Sequence, residues 1–295
     1  MWKWVLASLA LMIMAVQAIA ADWQKVMAPQ QLLAMAGQVT IVDIRGADEF
    51  QRGSIEGAVN APYGTWRGPE ENPGRVLSDA GLTELLQGLG LTASSAVVVV
   101  YHGKNETDFG AAARVYWTLK SAGLSQIAIL NGGLVAWVKA DLPLSTAFGA
   151  PERSTATFAL SQDWMIDRDG VADILDGERE AVMIDARPAA FWKGQRKHAA
   201  AARAGTLEGA LNIAHDSWFG GNRTEILTPD EVLRVAKAAG YRPGGPELVS
   251  FCNTGHWAAT NWFALSELAG IEGVKLYPES LVGWTQNGGA VADGR

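Results

Sequence analysis

Residues 248–257 read Leu-Val-Ser-Phe-Cys-Asn-Thr-Gly-His-Trp, and an apolar, helix-forming run continues from Ala258 to Ala269. A short apolar run, a loop containing glycine and a helical run together predict a strand, a tight loop and a helix. In open α/β sheets, ligands bind beyond the carboxyl ends of the strands. The loop that begins at Cys252 is therefore the first place to look for chemistry.

Cys252 is the only cysteine of the chain, so no internal disulfide can form. Near a helix N-terminus, unpaired N–H groups and the helix dipole favour an anion, and the thiolate is the nucleophilic form of cysteine. Gly255 allows the loop to curl with several N–H groups facing inward, while Asn253 and Thr254 tolerate turn geometry. A lone cysteine is otherwise a small buried apolar residue. The position of Cys252 at the end of a strand favours the reactive role.

The chain repeats a set of sequence blocks in the same order. The matching pairs are Ile41–Arg45 with Met183–Arg187, Gly53–Asn60 with Gly205–Asn212, and Leu130–Trp137 with Tyr277–Trp284. Such ordered self-similarity predicts two homologous domains, residues 23–146 and 160–295. The segment between them is rich in Ser, Thr, Ala, Pro and Gly and is predicted to be a surface linker.

Short β-branched runs alternate with amphipathic stretches within each copy. Strands are predicted at 39–44, 97–101 and 127–130, and helices at 83–89 and 111–121. In the second copy, Thr228-Pro-Asp-Glu231 has the capping-box pattern, and Gly240 suits a left-handed helix end. This alternation predicts an α/β protein in which each domain is a mostly parallel sheet flanked by helices.

The N-terminus has the pattern of a secretory signal peptide. Lys3 gives a positive start, the run from Val5 to Ala18 is almost wholly apolar, and Ala18-Ile-Ala20 supplies small residues at the cleavage spacing. We therefore expect residues 1–20 to be a signal peptide and the mature protein to be periplasmic or otherwise secreted. An uncleaved membrane anchor is the alternative. No other run is long and apolar enough to span a bilayer, so no membrane association is expected after cleavage.

The formal net charge of −7 argues against nucleic-acid binding, because a protein that tracks phosphates needs clustered Lys and Arg. No such cluster occurs in the sequence. Twelve Trp residues are present, and large aromatic side chains usually serve packing.

The duplicated Asp-x-Arg and Gly-x-x-x-Gly-Ala-x-Asn blocks, the Asn-Gly-Gly-x-x-x-Trp turn and a six-residue loop opened by cysteine resemble the tandem-domain rhodanese sulfurtransferases. This family includes thiosulfate and 3-mercaptopyruvate sulfurtransferases. The resemblance implies two tandem rhodanese-like domains, an inactive N-terminal one and a catalytic C-terminal one. His102 occupies the position that matches Cys252 in the first copy, and histidine cannot form a persulfide.

The resemblance also implies the reaction. Cys252 would take the sulfane sulfur of a small donor, of the thiosulfate or 3-mercaptopyruvate type, and pass it to a thiol or cyanide acceptor. The N–H groups of residues 253–257 would hold the persulfide charge, and no metal or organic cofactor is needed. A protein sulfur acceptor is a further possible partner.

The residues expected to bind substrate either belong to the cysteine loop or match family positions near it. They are Asn253, Thr254, Gly255, His256, Trp257, Arg187 and Lys193. The resemblance gives Arg187 a mainly structural role. Phe191 stands where family members often place an arginine before an aromatic residue, and Lys193 lies close behind it as a substitute source of positive charge. The basic residues behind it, including His198, either supply charge or are solvated. His256 is either a titratable group near the sulfur or a loop-packing residue, and the donor stays open.

Three other functions differ from the sulfurtransferase in the residues that they require. A phosphatase with a rhodanese-like fold needs an arginine six residues after the cysteine, where this chain has Ala258. A thiol oxidoreductase would normally need a second cysteine. A non-enzymatic periplasmic sulfur carrier or binding protein, dedicated to one partner, remains the alternative to the enzyme.

Overall fold

The computed structural model describes residues 23–221 and 224–294. The predicted signal peptide, residues 1–20, lies outside the described residues. Within the described ranges, every helix is too short or too polar to cross a bilayer.

The first sheet has five parallel strands in the order β1-β5-β4-β2-β3. The strands are β1 (Val26–Met27), β2 (Thr40–Asp43), β3 (Val59–Asn60), β4 (Val97–Val100) and β5 (Ile127–Leu130). The valines of β4 are all fully buried, as expected for a central strand covered on both faces. The predicted parallel sheet is confirmed, with strand ends within about one residue of the pattern.

The helices of the first domain flank this sheet. They are α1 (Pro29–Ala34), α2 (Ala47–Gln51), α3 (Asp79–Gly88), α4 (Glu106–Ser121) and α5 (Gly133–Lys139). Helices α3 and α4 begin several residues before the predicted positions because side chains cap them earlier. Ser78 accepts a hydrogen bond from the N–H of Gly81, and Asn105 accepts from Thr107 and Asp108.

The second sheet repeats the arrangement with four parallel strands in the order β7-β6-β8-β9. They are β6 (Ala181–Asp185), β7 (Leu211–Asn212), β8 (Glu247–Phe251) and β9 (Lys275–Leu276). Met165 forms an isolated parallel bridge to Leu276, at the place that β1 occupies in the first sheet. The two domains therefore share one topology, as the repeated blocks predicted.

The helices of the second domain are α6 (Arg168–Leu175), α7 (Ala189–Trp192), α8 (Pro229–Ala238), α9 (Trp257–Trp262) and α10 (Ser280–Gln286). Helix α8 begins after Thr228, whose N–H donates to Glu231, and Gly240 beyond its end has φ of +104°. Both features match the sequence pattern. The long helix predicted from Ala258 to Ala269 differs, because the α-helix changes to a π-helix over Phe263–Leu268.

The repeated blocks form the same buried network in both domains. In the second domain, Arg187 donates to both carboxylate oxygens of Asp185 and to the carbonyl oxygen of Gly205. The Thr206 hydroxyl donates to the same carboxylate at 2.7 Å. Arg45, Asp43 and Ser54 repeat these bonds in the first domain. The Asp-x-Arg motif thus joins a strand end to the following loop, which explains its repetition.

The two domains meet through α4 and α9. The Phe109 and Tyr116 rings of α4 contact the ring of Phe263 edge to face, at centroid distances of 5.6 and 4.9 Å. One buried apolar cluster extends across both domains and includes Cys252. The helix that follows the cysteine loop is therefore fixed against the first domain.

Candidate active site

Cys252 lies directly after β8 and opens the loop that leads into α9. It is only 1% exposed, yet it lines a cavity of about 180 Å³. The other residues that line this cavity are Thr107, His198, Asn253, Thr254, His256 and Trp257. The buried thiol therefore lines a cavity that lies between the two domains, since residues of both domains line it.

The start of the loop is held by Ser280, at the beginning of α10. The Ser280 hydroxyl accepts hydrogen bonds from the N–H groups of Cys252 and Gly255, at 3.0 and 3.1 Å, and donates to the carbonyl of Tyr277. Ser280 is fully buried and has φ of +50°, a left-handed conformation that costs a residue with a side chain energy. The strain is offset by the three hydrogen bonds of the hydroxyl, one of which comes from the amide of Cys252.

The remaining backbone amides of the loop are unused. Among the residues that the structure describes, no acceptor binds the N–H groups of Asn253, Thr254, His256 or Trp257. Gly255 makes the curl possible with φ of +67°, and a Cβ there would clash with Arg114 and the carbonyl of Pro278. A curled loop with unused amides is the arrangement of an anion-binding nest.

Two arginines of the first domain hold the carbonyl side of the same loop. Arg67 donates to the carbonyl oxygen of Thr254 at 2.6 Å. Arg114, on α4, donates to the carbonyl oxygens of Gly255 at 3.2 Å and Gly74 at 3.0 Å. These bonds give the otherwise neutral cavity two nearby guanidinium groups.

His256 is tied to the first domain by both ring nitrogens. Its Nε2 lies 2.9 Å from the carbonyl oxygen of Thr107, which can only accept, so Nε2 carries the hydrogen. Nδ1 then accepts from the Tyr63 hydroxyl at 2.9 Å. Burial, followed by the Arg67 guanidinium, lowers the pKa of His256 to about 3. Of the two interpretations from the sequence, the structure supports loop packing rather than a cation or acid at neutral pH.

Trp257 forms an aromatic wall of the cavity. Its ring stacks on His215 with centroids 4.6 Å apart and planes 11° apart, and meets Phe191 edge to face. The indole N–H is buried and has no acceptor among the described residues. It is therefore a hydrogen-bond donor that a bound molecule can use.

Arg187 lies beneath the loop and is 1% exposed. Beyond its bonds to Asp185, it donates to the side chain of Asn253 at 3.3 Å. Its guanidinium is thus used in the buried network, which agrees with a mainly structural role and places it behind the loop.

The structure does not bring Lys193 to the cavity. Lys193 ends α7 with an exposed side chain and is absent from the residues that line the opening. The short helix α7 ends with that side chain in solvent, so substrate binding by Lys193 stays a prediction. His198, from the same basic segment, does reach the cavity, and burial together with Lys197 lowers its pKa.

Sequence reasoning missed the residues that the first domain and α10 contribute. Tyr63, Arg67, Thr107 and Arg114 belong to the copy without cysteine, and no motif marks them. Ser280 had a signal, because it replaces the second glycine of the Asn-Gly-Gly turn in the first copy. A residue with a side chain at a position that suits glycine indicates a special local role.

Comparison with known proteins identifies the family. The rhodanese-like domain model matches residues 28–140 and again residues 167–287. The chain therefore belongs to the rhodanese-like domain family and contains two copies of that domain.

Among its relatives, the thiosulfate sulfurtransferase of Azotobacter vinelandii is 29% identical over 263 residues, which cover 84% of this chain and 89% of the relative. The 3-mercaptopyruvate sulfurtransferase of Escherichia coli K12 is 32% identical over 201 residues, or 66% of each chain. A sulfur carrier protein of Thermus thermophilus is 26% identical over 235 residues, covering 73% and 75%.

Solved structures agree on the fold. The crystal structure of SseA from Escherichia coli superposes with a TM-score of 0.74 at 22% identity, covering 87% of this chain and 98% of that one. The anaerobic ergothioneine biosynthesis enzyme from Chlorobium limicola reaches 0.79 at 19% identity, covering 92% and 70%. At these identities the likeness establishes the tandem architecture.

Proposed function

We propose that the protein is a sulfurtransferase that carries sulfane sulfur on Cys252. The observation that carries the proposal is the cysteine at the end of β8, within a curled loop whose free amides can hold a sulfur anion. The relatives named as thiosulfate and 3-mercaptopyruvate sulfurtransferases support the same chemistry.

In the first half-reaction, the Cys252 thiolate attacks the outer sulfur of the donor. With thiosulfate, a new S–S bond forms, the old S–S bond breaks, and sulfite leaves with the electron pair. With 3-mercaptopyruvate, the C–S bond breaks and the released pyruvate carbanion takes a proton. Either donor leaves a Cys252 persulfide, whose negative charge the unused amides of Asn253, Thr254, His256 and Trp257 stabilise.

In the second half-reaction, an acceptor nucleophile attacks the outer persulfide sulfur. Cyanide leaves as thiocyanate, and a thiolate leaves as a persulfide; in both cases Cys252 returns as the thiolate. Trp257 and Thr107 line the approach to the sulfur, and the free indole N–H of Trp257 can donate to donor or acceptor. The two half-reactions share one site, so the kinetics should be ping-pong.

The cavity supports small donors and acceptors. Its volume of about 180 Å³ is less than the several hundred Å³ typical of drug-sized ligands. The relative named as a sulfur carrier makes a protein acceptor a second possibility for the persulfide. The apolar N-terminal run supports export, so we also propose a periplasmic or secreted location.

Intact-mass spectrometry after exposure to thiosulfate or 3-mercaptopyruvate tests the proposal. We expect the wild type to gain one sulfur atom and to lose it on addition of cyanide, while Cys252→Ser gains none. Absence of an adduct with every donor would count against the sulfurtransferase.

Steady-state kinetics then separates an enzyme from a dedicated carrier. Parallel lines in double-reciprocal plots with a small acceptor indicate ping-pong turnover. A protein that loads once, and discharges only to a protein partner, is the carrier instead.

A further inference from the structure

Arg67 and Arg114 are two neighbouring cations without a carboxylate partner. Among residues 23–221 and 224–294, neither guanidinium has a carboxylate partner: both donate to carbonyl oxygens, Arg67 also contacts Tyr63, and Arg114 packs over the ring of Trp117. Arg114 is 1% exposed, its Nε has no acceptor, and the Nη1 of Arg67 is buried and also unpaired. Two like charges in this position repel each other.

The contrast with the other buried arginines is informative. Arg45 and Arg187 are also buried, and each is neutralised by a carboxylate at 2.6 Å. A buried charge without a counter-ion is expensive, so such groups are normally paired. Burial, followed by the neighbouring Arg67 guanidinium, lowers the pKa of Arg114 to about 9.

The missing anion belongs to the sulfur site. Arg67 and Arg114 contact the consecutive loop residues Thr254 and Gly255, and the ionisable groups that interact with Arg114 besides Arg67 are Tyr63 and Cys252. The pKa of Tyr63 is raised by burial, so Tyr63 stays neutral, as does His256 beside it. Cys252 is the remaining group in this set that can become an anion.

We propose that Arg67 and Arg114 of the first domain are positioning residues of the Cys252 site, which supply the counter-charge for its sulfur anion and fix the carbonyl side of its loop. The proposal rests on the sulfurtransferase function for the persulfide, but its charge effect applies to the thiolate as well. The copy without cysteine thus contributes the cations that the loop itself lacks.

Alkylation of Cys252 by iodoacetamide, followed by mass spectrometry across pH 5–10, tests the charge effect in the full chain without any sulfur donor. Loss of one nearby positive charge weakens the stabilisation of the thiolate, so Arg67→Met and Arg114→Met should react roughly tenfold more slowly at pH 7. Arg67→Lys and Arg114→Lys keep the charge, and their profiles should stay close to wild type.

Lys120→Met is the matched control, because it removes another α4 cation that bridges the domains but binds Glu267 rather than the loop. Its alkylation profile should equal that of the wild type. Circular dichroism checks that each variant is folded. If Arg114→Met does not fold, the Met and Lys variants of the less buried Arg67 test the proposal instead.

A folded Arg67→Met variant with a wild-type alkylation profile overturns the proposal. So does a Lys120→Met variant that is slowed as much as the arginine variants. Persulfide loading is measured in parallel: if no donor loads the wild type, the sulfurtransferase function fails, whereas the alkylation profiles report on the arginines alone.

Discussion

Replacement of Ser280 tests how the cysteine loop is held. Its hydroxyl accepts from the amides of Cys252 and Gly255, and its backbone has φ of +50°. Ser280→Ala removes the hydroxyl and keeps the backbone strain. Ser280→Gly removes the hydroxyl and also relieves the strain, because glycine adopts left-handed conformations freely.

The two variants should differ in stability by a calculable amount. Each buried N–H that loses its acceptor costs about 1–3 kcal/mol, so Ser280→Ala should lower the free energy of unfolding by about 3 kcal/mol. Relief of a left-handed conformation returns about 1 kcal/mol, so Ser280→Gly should lose about 2 kcal/mol.

Urea unfolding followed by tryptophan fluorescence measures this order. For a slope near 2 kcal/mol per M, the glycine variant should unfold roughly 0.5 M urea above the alanine variant and below the wild type. Sulfur loading should be slowed in both variants, since both release the cysteine amide. An alanine variant as stable as the wild type, or more stable than the glycine variant, would refute the reasoning.

Three further perturbations test the contacts around the loop. The pKa of His256 is depressed to about 3, so between pH 6.5 and 3 the unfolded chain binds more protons than the folded one, and the free energy of unfolding falls by about 1.4 kcal/mol for each pH unit of acidification. Urea midpoints measured against pH should show that His256→Gln removes this dependence. Glu267→Gln breaks the 2.7 Å salt bridge to Lys120, and calorimetry should show a free energy of unfolding lower by about 1–3 kcal/mol. An unchanged stability would contradict a role for this salt bridge in holding the domains together. In Gly110→Ala, a Cβ 2.8 Å from His256 Nε2 displaces that ring, so sulfur loading should slow while the fold is kept; unchanged loading would contradict a positioning role for the ring.

The architecture and the reactive cysteine were predictable because they depend on local signals. The repeated blocks encode a buried network that both domains must build, so the duplication is visible in the sequence. Strands such as β4 read as uninterrupted β-branched runs because both faces are covered. Cys252 is recognisable because a strand end, a glycine loop and a helix follow each other within a few residues.

The electrostatics of the site were not predictable because they arise from contacts distant in sequence. Arg67 and Arg114 reach the loop from the other domain, and nothing in their local sequence distinguishes them from other arginines. The sequence position of Lys193 also does not show that its side chain faces solvent at the end of α7. The neutral state of His256 likewise depends on Tyr63 and Thr107, both contributed by the first domain.

The comparison of the two copies shows why Ser280 is the informative residue. Both copies make the same backbone bond after β4 or β8, from Leu134 to Tyr101 in the first and from Leu281 to Cys252 in the second. Tyr101 therefore occupies the position of Cys252, and His102, which the sequence blocks matched to the cysteine, lies one residue further on. The first copy places Gly133, with φ of +60°, where the second places Ser280. Glycine therefore satisfies the backbone of this turn without strain, and the geometry of the turn alone does not require serine. The strained side chain is present in the copy whose loop carries the thiol, where its hydroxyl binds the amide of that same cysteine.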